Sequence, residues 1–146
     1  MLTGQLLIGT AMIGTSVFLH VGGLIAIIAW LRSKKSIIDN NHPYIGASRV
    51  FLASVWGVFL LHAIGILGWG ILYVMLDQME TLERSLYFSI VTYTTLGYGD
   101  IVLEPRWQFL SGLEAINGVV LIGVSTAFLF AILTHVFQRL GILKSG

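Results

Sequence analysis

The stretch TYTTLGYGD, Thr92 to Asp100, interrupts a chain that is otherwise almost all apolar. Two glycines bracket a tyrosine, and an aspartate closes the run. Gly97 and Gly99 open backbone angles that other residues avoid. Glycines at alternate positions let successive carbonyls point to one side, whereas a strand alternates them and a helix aligns them with its axis. Carbonyls stacked on one side form a column of oxygen ligands. One chain supplies only one edge of such a column. Several copies around an axis complete a cage in which a hard monovalent cation exchanges its water for oxygens.

The surroundings of this stretch fix its setting. Of 146 residues, 56% are hydrophobic, with only 8 Lys or Arg and 7 Asp or Glu. A soluble domain gives about a quarter of its residues to charge, so the composition predicts an integral membrane protein in contact with the lipid bilayer. So few basic residues leave no footprint for a phosphate backbone, which excludes nucleic acid as a partner. The absence of cysteine excludes disulfides and thiolate metal sites. No nucleophile–base pair, phosphate loop or zinc motif occurs, so no enzyme and no organic cofactor is expected.

The charges are segregated. None occurs from Leu2 to Leu31 or from Val50 to Leu76, and only Glu114 stands between Arg106 and Arg139. Each run exceeds the roughly 20 residues that cross a hydrocarbon core of about 30 Å. The first lacks the basic flank and short apolar core of a cleaved signal, so it reads as a retained helix. Arg32, Lys34, Lys35, Arg49, Arg139 and Lys144 fall on one side, Arg84 and Arg106 on the other. This split puts the 32–48 loop and the 140–146 tail in the cytoplasm and the N-terminus outside. Asp77, Glu80, Glu83, Asp100 and Glu104 then surround an electronegative outer mouth that favours cations.

With three spans, this alternation holds only if Ser85–Gly99 enters and leaves on the outer side. Non-helical backbone exists at membrane depth only when it is buried in protein or lines a wet cavity. Thr81 is a capping residue, and Leu82 to about Tyr93 makes a helix of roughly 18 Å, half a crossing. Its C-terminal end carries partial negative charge toward the membrane interior, which favours a cation below it.

Thr95-Leu96-Gly97-Tyr98-Gly99-Asp100 resembles the signature of potassium-channel pore domains, with Leu96 where valine is usual. The resemblance runs from Arg49 to Arg139. It implies an all-α, tetrameric pore: outer helix 49–76, pore helix 82–94, filter 95–99 and inner helix 108–139, preceded by an extra helix, 1–31. It implies that Thr95 gives its hydroxyl and carbonyl, and Leu96, Gly97 and Tyr98 their carbonyls, to potassium ions. Tyr87 and Phe88 occupy the positions of pore-helix aromatics. Tyr87 reads either as a brace to Asp100 or as an ordinary interfacial aromatic. Relatives that carry a carboxylate behind the filter have it where this chain has Val91. Gly123 matches a gating-hinge position and reads equally as a small packing residue, with Gly118 a second candidate bend. The similar layouts are bacterial, which implies an inner membrane.

Glu114, the one acid inside a span, is suspect by position. It reads as a filter support hydrogen-bonded to the pore helix, with Asn117 on the same face, or as a group reaching outward. His20 and His62 read as packed or hydrogen-bonded residues, with proton sensing a minor reading. The expected function is a passive potassium channel. The alternatives are a non-selective cation channel, an ion-coupled transporter and a non-conducting subunit. The first helix lacks regularly spaced arginines, so it is not a voltage sensor.

Overall fold

The computed structural model describes residues 2–33 and 42–143. Four helices organise them: α1 (Leu2–Ser33), α2 (Pro43–Met75), α3 (Leu82–Tyr93) and α4 (Gln108–Arg139). The three long ones are each apolar and long enough to cross a membrane. Large side chains such as Phe18, Trp56 and Phe130 are exposed. A helix that is apolar all round belongs in lipid or against other protein, and this is a multi-pass membrane protein.

α2 begins at Pro43, ahead of the expected boundary at residue 49. Proline suits a first helical position, where the missing N–H needs no partner. The apolar run marks the hydrocarbon segment and not the helix, which continues past Arg49 into the interface. Of the charges that orient the chain, Lys34, Lys35 and Lys144 lie outside the described residues.

α3 is wedged between α2 and α4 in a regular register. Ser85 Oγ donates to the carbonyl of Gly70 at 2.6 Å, and Ser89 Oγ approaches that of Ile66 at 3.0 Å. Tyr93 Oη meets His62 Nδ1 at 3.2 Å. The donors advance along α3 by one turn while their partners retreat along α2 by one turn, so the two helices are antiparallel. The side chains of one α3 face are thereby all satisfied by α2. Small residues make the wedge fit. An added Cβ at Gly70 would meet Leu86 at 3.0 Å, and one at Gly118 would collide with the Tyr93 carbonyl. Trp69, Tyr73, Phe88, Tyr93 and Leu110 fill the core around this junction.

Thr81 caps α3 by accepting from Arg84 N at 3.2 Å, and Glu83 lies in its first turn, where the helix dipole favours an anion. α1 runs parallel to α4 in the groove between α2 and α4. It contacts both. Gly9 lies against Leu110 and Leu113 of α4, and Gly23 against Leu61 of α2. His20 Nε2 and Ser125 Oγ, 2.7 Å apart, pin α1 to the middle of α4.

Candidate functional site

The chain leaves α3 into a backbone of alternating hand. φ is +58° at Thr95, +58° at Gly97 and +77° at Gly99. Glycine takes such angles freely, but a β-branched residue there is an outlier. The last turn of α3 holds Thr95 in place. The N–H of Thr95 donates to Thr92 O at 2.9 Å, and those of Leu96 and Gly97 donate to Val91 O at 2.9 and 3.2 Å. Three N–H groups are thus turned back toward α3. Among the described residues, no backbone N–H outside the helices donates to a carbonyl of Thr95 to Gly99. Residues 94–100 are exposed on the chain, and Leu96 and Tyr98 hold their side chains 53% and 66% exposed.

Tyr87 Oη donates to Asp100 Oδ2 at 2.7 Å, tying the C-terminal end of this segment to α3. Phe88 is buried and packs edge-on against Tyr73, with ring centroids 5.1 Å apart. A groove of about 400 Å³ beside the segment is lined by Tyr87, Val91, Gly97, Gly112 and Ala115, among others. Beyond Asp100, Glu104 N donates to Gln78 Oε1 at 3.1 Å, joining the loop after the segment to the α2–α3 turn.

Glu114 is fully buried where α2, α3 and α4 meet. Tyr73 Oη donates to its Oε2 at 2.6 Å, and Ser89 Oγ lies 2.5 Å from its Oε1. The carboxyl therefore joins three helices and does not reach outward. Asn117 is also buried, but neither of its amide atoms has a hydrogen-bond partner among the described residues. Gly118 takes the Tyr93 carbonyl against its backbone, while nothing lies within 4 Å of a Cβ built at Gly123. α4 is continuous through both.

Two of the histidines stand side by side. The rings of His20 and His62 are 4.8 Å apart, His20 reaches Ser125, and His62 reaches Tyr93. This polar chain connects α1, α2, the end of α3 and α4. No group of three His, Cys, Asp or Glu side chains that could hold a metal occurs among the described residues. Tyr73 and Ser89 escaped the sequence reading. The signal for Ser89 was available, since Ser85, Ser89 and Tyr93 share one face of α3 at helical spacing.

Comparison with known proteins bears on residues from α2 to α4. The family model described as Ion channel matches residues 49–135. The chain is similar to the TWiK family of potassium channels protein 18 of Caenorhabditis elegans, at 29% identity over 90 residues. That alignment covers 62% of this chain and 18% of the relative, so the chain spans less than a fifth of that protein's length. No solved structure matches.

Proposed function

The chain belongs to the ion-channel family, a class of transport proteins and not of enzymes, and from that premise we propose that it forms a passive, potassium-selective pore as a homotetramer. The observation that carries the reading is the alternating-hand segment, whose N–H groups at Thr95, Leu96 and Gly97 donate back to α3 while no backbone N–H outside the helices, among the described residues, donates to its carbonyls. An unpaired carbonyl at membrane depth needs a partner. A partly dehydrated cation supplies one, with Thr95, Leu96, Gly97 and Tyr98 as carbonyl ligands and the Thr95 hydroxyl as the innermost. The name of the nematode relative supports potassium as that cation.

A single chain offers one edge of the cage. The exposed Leu96 and Tyr98 side chains and the groove at Tyr87 and Gly112 support their burial against neighbouring copies. Asp77, Glu80, Glu83, Asp100 and Glu104 lie near the filter end, and with the basic residues at the other end they support an outer mouth rich in acids and a cytoplasmic C-terminus. Gly123 is the proposed hinge of the inner helix. A non-selective pore is the second reading, favoured by Val91 in place of a carboxylate behind the filter.

The test is the reversal potential of the purified protein in planar bilayers with potassium on one side and sodium on the other. A reversal potential far from zero, with the sign set by potassium flowing out of its side while sodium hardly flows back, is expected. A clear current reversing near zero overturns selectivity in favour of the second reading.

A further inference from the structure

At the end of the bundle opposite the filter, α1, α2 and α4 diverge around a groove of about 690 Å³. Its walls are apolar, with Ile28 from α1, Val50 from α2 and Ile132 from α4. Arg32, His135 and Arg139 also line it. Arg32 and Arg139 are exposed and stand in the last turns of α1 and α4. Among the described residues the one ion pair is Arg106 with Glu104, which lies near the filter. Asp77, Glu80, Glu83, Asp100, Glu104 and Glu114 all belong to the filter half, so no described carboxylate serves these two guanidiniums.

We propose that this groove holds an acidic phospholipid, with an acyl chain between the helices and its phosphate between Arg32 and Arg139. Three observations converge. The walls belong to membrane-spanning helices, so the occupant comes from the bilayer. The guanidiniums offer forked donors that match phosphate oxygens. An anionic headgroup placed between the two guanidiniums neutralises both. Basic pockets between transmembrane helices recognise anionic headgroups on these grounds. A zwitterionic lipid adds a cation beside two cations and is disfavoured. Arg32 belongs to α1, which precedes the residues matched to the ion-channel family, so the site combines the extra helix with the pore domain.

The experiment is native mass spectrometry of the full chain with phosphatidylglycerol or phosphatidylcholine of identical acyl chains. Phosphatidylglycerol should stay bound under activation that strips phosphatidylcholine. The double substitution R32Q/R139Q should weaken its retention by roughly thirtyfold, from two basic contacts with an acidic headgroup. Ile28→Trp, which fills the apolar wall and keeps both charges, should weaken it as well. Equal retention of the two lipids by the unaltered chain overturns the proposal without any variant. Unchanged phosphatidylglycerol retention in R32Q/R139Q overturns the headgroup contact, and unchanged retention in Ile28→Trp overturns the groove.

Discussion

Thr95 holds a branched side chain at a φ of +58°, an arrangement that persists because the end of α3 binds its N–H and the two that follow. Such a residue stores about 1–3 kcal/mol that its surroundings must offset. Gly99, at +77°, shows what happens when the freedom is removed. Gly99→Ala asks an L side chain to sit where it costs roughly 1–2 kcal/mol, and the expected result is loss of potassium over sodium selectivity, read from the reversal potential. Selectivity equal to the unaltered chain would refute the carbonyl-cage account. Glu114 poses a question of proton counting. Ser89 Oγ lies within hydrogen-bond distance of both Ile66 O and Glu114 Oε1, yet a hydroxyl has one proton. A neutral carboxylic acid at Glu114 satisfies all groups by donating to Ser89, while Tyr73 donates to the other oxygen. Glu114→Gln then preserves the pattern and should leave the melting temperature nearly unchanged. Glu114→Leu strands Tyr73 and Ser89 and should lose about 1–3 kcal/mol. Equal losses in the two variants would show that the charge, and not the hydrogen-bond pattern, holds the three helices. At this scale the sequence revealed the glycines and Glu114 itself, because their types are rare in such settings. It pointed Glu114 at the pore helix, where Ser89 receives it, but concealed Tyr73, a partner on α2 far from it along the chain.

The elements are placed by small residues and short polar contacts. α3 approaches α4 closely because Gly118 has no Cβ to meet the Tyr93 carbonyl. Gly118→Val should displace α3 and lower thermal stability by about 1–3 kcal/mol, the usual range for overpacking. Calorimetry in detergent reads the change, and a melting curve identical to that of the unaltered chain would contradict the wedge. α1 is fastened to α4 at mid-membrane by His20 and Ser125. A double-mutant cycle of His20→Phe and Ser125→Ala should give a coupling of about 1 kcal/mol, and a coupling near zero would leave α1 held by packing alone. The three spans were legible because apolar length is a strong signal. The start of α2 was not, because a helix can leave the hydrocarbon without unwinding, and charge marks the boundary of lipid only. The seat of α1 went unread for a different reason. Its buried stripe holds Gln5, Ser16 and His20 with Gly9 and Leu24, so polarity did mark the inward face, but nothing along the chain told that Ser125 of α4 would receive His20.

Across the whole molecule, the fold that a single chain supports is a bundle with one edge unfinished. Residues 94–100 are exposed, and Leu96 and Tyr98 are more than half exposed among the described residues. In hydrocarbon, each backbone polar group left unsatisfied costs several kcal/mol. The energetic deficit of an isolated subunit therefore lies in the same residues that give the proposed assembly its pore. Stability then follows mass action, since whatever binds only the folded form shifts its equilibrium. Diluting the protein in lipid should lower its melting temperature progressively, while detergent-solubilised subunits at high density should recover it. A melting temperature independent of the protein-to-lipid ratio would show a chain that is self-sufficient. If dilution does act as expected, the abundance of this protein in a membrane is itself a stabilising quantity: a cell making few copies would hold chains whose filters never mature, and these scarce chains would be the first degraded.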